Sequence, residues 1–321
     1  MTYVSHLNGL IRDAIATADN PVVFGQNVAA GSCLSGLTRG IDHTAAQVIN
    51  TPNLENTLVG TGFGLMLSRV QAAFFMKQQD FLLLGVDHLV NTYNLVRRQD
   101  TGAGSFTIVQ IVVDSGFEGP QSALNNLPDL CSLARVEGYA IANAHDADTV
   151  VGNELFAPGF RIISVSQRLF KRDMPGWESS IEPAAPNAVS RYAFGDDLTI
   201  VALNFAFEQA VNLYRAAQGY DLSASLFASN SLSEVDWQAV TADAARTGRL
   251  VILDDTKSVR SPGHILALEA RAAGVTDVIH HRRSLDEALL RPQADRFEID
   301  CAATLAALGL LSRPRISLLS A

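Results

Sequence analysis

Cysteine is scarce in this chain. Cys33, Cys131 and Cys301 stand far apart in 321 residues with no paired spacing. That excludes a disulfide framework and a cysteine-built zinc site, and it fits a reducing cytosol. Positive charge is also short: 24 Lys and Arg face 33 Asp and Glu, for a net charge of −9. Broad contact with nucleic-acid phosphates depends on clustered cations, so nucleic acid is excluded as a partner. No uncharged apolar run reaches the roughly 18 residues that a bilayer crossing needs. Arg12 and Asp13 fall where a secretory leader would have its apolar stretch, and a cytoplasmic location is expected. A dinucleotide fingerprint is missing as well. GTGFG (60–64) lies inside a helical pattern rather than a strand-to-helix turn, and its small residues are expected to allow close helix packing.

What is present is apolar. Hydrophobic residues make up 48% of the chain and the mean hydropathy is +0.15. Because one core seldom grows past about 250 residues, this length points to two domains. Large obligate interfaces resemble a domain core cut in half, so the surplus apolar surface is assigned to a subunit contact. An oligomer is expected.

Helix-like and strand-like signals alternate over the first 170 residues, the pattern of a parallel sheet covered by helices. Residues 4–18 and 54–69 read as helices, 20–28 as a turn and buried strand, and 72–76 as a strand. Residues 80–98 read as one helix whose closing cations, in LVRR, suit its C-terminal end. SFTIVQIVVD (105–114) is the clearest strand, followed by 139–143 and 161–166. Residues 176–194 have no clean period and read as a linker. Beyond it, 198–205, 222–229 and 248–255 read as strands, and 207–218, 234–247 and 263–274 as helices. The expected fold class is α/β, with a larger domain over 1–175, built on a mostly parallel sheet, and a smaller α/β domain over 195–321.

One acid stands out. TPNLENTLVG (51–60) sets Glu55 just inside the start of an otherwise uncharged helix. Glu55, Val59, Gly62 and Met66 follow helical spacing and share one apolar stripe. Two readings stand: a solvated first-turn acid favoured by the helix dipole, or a buried carboxylic acid held for proton exchange with a bound heterocycle. His88 reads as structural or interfacial. The pair His145-Asp146 reads as a solvated loop, and His280-His281-Arg282-Arg283 as a polar surface run without metal spacing.

NPVVFGQNV, NTPNLENTLVGTGFGLML, DFLLLGVDHLVN, SGFEGPQS and LTIVALNFAFEQAVNLYRAA…TGRLVILDD follow one another in this chain. In that order the series resembles the β subunit of 2-oxoacid dehydrogenase E1 components, within the thiamine-diphosphate enzymes of the transketolase type. The resemblance covers residues 4 to about 275. It implies a pyrimidine-binding first domain and a transketolase-like C-terminal domain, each three-layered. It also implies that Glu55 hydrogen-bonds the pyrimidine nitrogen of thiamine diphosphate and acts as a proton relay, the cofactor supplying the electron sink. QQDFLLL (78–84) resembles the stretch that surrounds the pyrimidine with aromatics. There Phe81 matches a stacking position, or is an ordinary core residue, while Gln78 departs from the usual phenylalanine. Arg168 matches a basic position that either meets a substrate carboxylate or phosphate or forms an interdomain ion pair.

Two absences qualify this resemblance. The GDG and paired asparagines that hold diphosphate and Mg²⁺ in the family are missing, which implies a second, α-like subunit carrying that half, in an α₂β₂ assembly. The usual histidine after the GP turn is replaced, since GFEGPQS puts Gln121 and Ser122 there. Those side chains hydrogen-bond but do not titrate near neutrality. GQNV (25–28) likewise carries amides where the family has GEDV. The expected activity is transfer of a two-carbon ketol or acyl unit from a 2-oxoacid or ketose. The alternative is a non-catalytic scaffold that dimerises with an active homologue.

Overall fold

A computed structural model describes residues 1–114, 124–185, 189–283 and 297–311. The first half begins with α1 (Tyr3–Thr17), then β1 (Val22–Gly25), β2 (Gln47–Asn50), α2 (Glu55–Leu67) and β3 (Gln71–Met76). It continues through α3 (Tyr93–Val96), β4 (Ser105–Val112), α4 (Leu127–Ala134), β5 (Glu137–Ile141), α5 (Ala144–Glu154) and β6 (Gly159–Ser166). The six strands form one parallel sheet in the order β2-β1-β3-β4-β6-β5. β4 is buried along its whole length, as a strand covered on both faces should be. α1 and α5 cover one face around Leu7, Ile11, Val150 and Ile163. α2 and α4 cover the other around Phe63, Phe74, Phe106 and Leu130.

The second half carries β7 (Glu182–Ala185), β8 (Val189–Ala193), β9 (Leu198–Leu203), α6 (Phe207–Gly219), β10 (Ala224–Ser229) and α7 (Gln238–Thr247). β11 (Arg249–Asp254), α8 (Pro262–Ala272), β12 (Asp277–Arg282) and α9 (Cys301–Ala307) follow. Its sheet runs β12-β11-β9-β10-β8-β7, parallel from β12 to β10, with an antiparallel β7–β8 hairpin at the end. α6 and α9 pack on one face, α7 and α8 on the other. The chain after β10 also pairs with the edge strand β5: Ala140 donates to the Asn230 carbonyl and Leu232 to that of Gly138, both at 2.8 Å. An otherwise open sheet edge is thereby covered.

The α/β expectation holds in both halves, and four local expectations do not. Residues 80–98 are not one α-helix: a 3₁₀ segment spans Gln79–Gly85, a π turn His88–Thr92, and α3 only Tyr93–Val96. The apolar spacing suited a helix, but Gly85 lies against Val59, where an added Cβ would come within 2.7 Å, and the segment bends around α2. Residues 176–194 are not simply a linker, because they contribute β7 and β8, with Pro183 on the outermost strand where no ladder bond is lost. His280–Arg283 are not a surface run: 280–282 close β12, and Arg283 is buried. His145 and Asp146 open α5, with Asp146 buried and His145 bonded to Ser190 at 3.0 Å.

Candidate functional site

The C-terminal edge of a parallel sheet is where connecting loops and helix N-termini gather polar groups. Glu55 stands at such a place, in the first turn of α2, just past β2. Its neighbours in the buried stripe are Val59, Gly62, Phe63 and Met66. A Cβ on Gly62 would lie 2.2 Å from the Phe106 ring, and one on Gly60 2.9 Å from His88 Nε2, so these glycines let α2 seat closely. Asn56 fastens the 3₁₀ segment to α2 by donating to the Leu84 carbonyl at 3.3 Å.

Close seating leaves Glu55 only 6% exposed. Among the described residues its carboxylate takes no hydrogen bond and no ion pair. A buried carboxylate in that state is costly unless something else satisfies it. The helix N-terminus supplies part of the compensation.

Other unpaired groups lie along the same edge. Gln26 follows β1, Thr51 follows β2 and Gln78 follows β3, three strands adjacent in the sheet. The side-chain oxygens of all three are buried without a hydrogen-bond partner. Gln78 is 6% exposed, and Phe81, three residues on, is half-buried against the α2 face. Thr51 is tied to β1 by its backbone, donating to the Gly25 carbonyl at 3.0 Å. Together these groups offer a hydrogen-bonding rim, an acid and an aromatic ring on one sheet edge. That donor set fits a polar heteroaromatic ring. Among the described residues no group of three or more His, Cys, Asp and Glu side chains is arranged to hold a metal ion.

Gln121 and Ser122 lie outside the described residues. Arg168 is described, in the turn that follows β6. Its guanidinium lies 2.6 Å from Asp255 and 3.6 Å from Asp114, the first from the other half of the chain, so its partners are those of an interdomain ion pair. Burial pushes the Asp114 carboxyl above its ordinary value, and the Arg168 cation opposes that rise. The sequence reading missed Asp114, Asp255, Arg283 and Asn125. Its one available signal was the acidic close of two strands, Asp114 after β4 and Asp254-Asp255 at β11, in positions where α/β sheets put functional groups.

No family model matches the chain. It is 24% identical over 270 residues to the pyruvate dehydrogenase E1 component subunit beta of Leifsonia xyli, covering 82% of this chain and 79% of that one. It is also 24% identical over 277 residues to the 3-methyl-2-oxobutanoate dehydrogenase subunit beta of Mycobacterium tuberculosis, covering 84% and 78%. Among solved structures, a split-gene transketolase, an inactive β4 tetramer, superposes with a TM-score of 0.67 at 16% identity over 96% of this chain and 97% of that one. The transketolase of Campylobacter jejuni gives 0.67 at 7% identity over 97% of this chain and 45% of its own.

Proposed function

Taking as premise that this chain has the transketolase-type fold and the E1 β subunits as its curated sequence relatives, we propose that it is the β-type subunit of a split thiamine-diphosphate enzyme. The observation that carries the reading is Glu55, an acid buried at a helix start with no partner of its own. Thiamine diphosphate supplies, when bound, the electron sink for breaking or making a bond beside a carbonyl. Glu55 would hold a proton at one carboxylate oxygen and share it with the pyrimidine nitrogen. Phe81 would pack against the ring, and Gln78 would offer its amide to the ring's polar edge.

The diphosphate half and Mg²⁺ are assigned to an α-like subunit, because the residues that hold them in the family are missing from this sequence. Leu54, Leu83 and Leu84 support a partner beside Glu55. They are 53%, 54% and 61% exposed and flank the acid on α2 and on the 3₁₀ segment bound to it. A chain closing over them would bury the leucines and exclude water from the acid. The substrate class is a 2-oxoacid or a ketose, and the product is a transferred two-carbon unit. Gln121 and Ser122 are assigned to the substrate entrance, where they would orient the substrate by hydrogen bonds without shuttling protons near neutral pH.

A second reading, a scaffold without catalysis, draws on Gln78, which replaces an aromatic at the cofactor rim. Co-expression with the α-like subunit separates the two. Calorimetric titration is expected to give thiamine diphosphate binding for the pair and little for the chain alone. Product formation from a panel of 2-oxoacids and ketoses then decides between catalyst and scaffold. Binding without turnover on any of them would favour the scaffold, and absence of binding would remove the catalytic reading.

A further inference from the structure

The two halves of the chain also meet where β5 runs into α5, and the bonds there gather around one buried acid. Just past β10, the backbone of 230–232 pairs with β5 through the Ala140 and Leu232 N–H groups. From β8, Ser190 bonds His145 Nε2 at 3.0 Å, and the Tyr192 hydroxyl donates to Asn143 Oδ1 at 3.3 Å. The chain between β6 and β7 joins in, its Pro175 carbonyl accepting from the Ala144 N–H at 2.8 Å. Asp146 is buried at this junction. Its Oδ2 accepts from the Asn143 amide at 2.9 Å and from the Ala142 N–H at 3.2 Å. The Asn230 side chain reaches the same carboxyl from the second half.

Two observations fix the charge state that the junction accommodates. Asn230 Oδ1 is buried and has no hydrogen-bond partner among the described residues. A protonated carboxyl carries the O–H donor that this oxygen lacks, whereas an ionised carboxylate only accepts. The groups acting on the Asp146 carboxyl are two backbone N–H groups and the Asn230 amide, none of them a cation. Burial pushes the Tyr3 phenol of α1 and the Tyr192 phenol of β8 above their ordinary value and the His145 imidazole below its own, so all three are neutral near pH 7. Charged groups on the same elements are engaged elsewhere: Asp148 with His6 of α1 at 3.2 Å, Arg191 of β8 with Glu182, Asp173 with the N-terminus, and Glu137 of β5 with the Tyr139 hydroxyl. An ionised Asp146 is thus a buried charge with no cation beside it, a state that water entry relieves.

We propose that Asp146 is a proton-gated latch between the two halves of the chain: protonated, it holds β5 and α5 against Asn230 and β8, and ionised, it lets that contact open. In the closed junction burial raises the carboxyl from 3.8 to about 7, whereas a wetted carboxyl ionises near its ordinary value. Closure is therefore fully supported below about 3.8, and the support is lost as the pH rises through about 7. Neither the cofactor nor the function proposed above enters this inference.

Residue-resolved hydrogen exchange on the full chain reads the contact through three amides that close it, Ala140, Ala144 and Leu232. Their protection factors are expected to fall together by roughly tenfold or more between about pH 5 and pH 8 and to level off above, with a denaturant slope smaller than that of global unfolding. In Asp146→Asn, which keeps a donor and an acceptor but does not ionise, they are expected to stay constant over the same range. If that variant does not fold, the wild-type chain decides. Carbon-13 NMR of its Asp146 carboxyl is expected to titrate near pH 7, and protection to level off at the same pH. Protection that does not change with pH overturns the proposal, as does an equal fall in Asp146→Asn, a carboxyl titration away from the levelling point, or exchange of these amides only through global unfolding.

Discussion

At the scale of single residues, Glu55 is a carboxylate that the fold buries and then leaves unpartnered. Glu55→Gln keeps the shape and a hydrogen-bonding group but removes the exchangeable acid. Positioned proton transfer contributes about 100- to 10,000-fold to rate, so steady-state turnover of the pair should fall within that range while calorimetry finds cofactor binding largely retained. Equal turnover in variant and wild type would remove the relay role. Gly62 tests the seat of the acid. With the Phe106 ring 2.2 Å from where its Cβ would stand, Gly62→Ala should cost about 1–3 kcal/mol in denaturant unfolding. A neutral result would mean that α2 shifts without penalty.

At the scale of elements, α5 carries a pH dependence. Asp146 lies in its first turn, where burial pushes the carboxyl from 3.8 up to about 7, against hydrogen bonds from the Ala142 and Asn143 backbone. The folded state therefore holds this proton more tightly than the unfolded chain. Its stabilisation is complete below about 3.8 and is lost as the pH rises through about 7. Asp146→Asn should raise the melting temperature at pH 8 relative to wild type and change it little at pH 4. A constant difference across that range would contradict the assignment. Calorimetric melts of the two proteins from pH 4 to 8 make the comparison.

Elements also show what the sequence could and could not reveal. β4, β9 and β11 were legible because strands covered on both faces are continuous apolar runs. β12, DVIHHR, was not, because it is an edge strand with only half-buried side chains. α5 was hidden by its polar opening, AHDADT, whose Asn143 cap reads equally well as a loop. The stripe through Glu55 was visible in the 3.6-residue period, as was the apolar spacing that misled at 80–98. The Arg168 contacts were beyond reach. Asp114 and Asp255 are 54 and 87 residues away in the chain, and no local period connects them.

At the scale of the whole molecule, the C-terminal edge of the first sheet carries Glu55, Gln26, Thr51 and Gln78 past β1 to β3, and further along the same edge, past β6, Arg168 joins it to the second half of the chain. The proposed function assigns the exposed leucines beside Glu55, Leu54, Leu83 and Leu84, to a protein partner. Among the described residues no helix is long and apolar enough to cross a membrane. Leu84→Asp should weaken association with the α-like subunit by roughly tenfold or more, measured by sedimentation, with the melting temperature of the isolated chain little changed. Undiminished association would place the interface elsewhere.

The most direct test is a crystal structure of the reconstituted pair with thiamine diphosphate bound. The account predicts a Glu55 carboxylate oxygen within hydrogen-bonding distance, about 2.6–3.2 Å, of a pyrimidine ring nitrogen, with the second subunit closing over both. A Glu55 side chain turned to bulk water, or a cofactor held without contact to this chain, would contradict it.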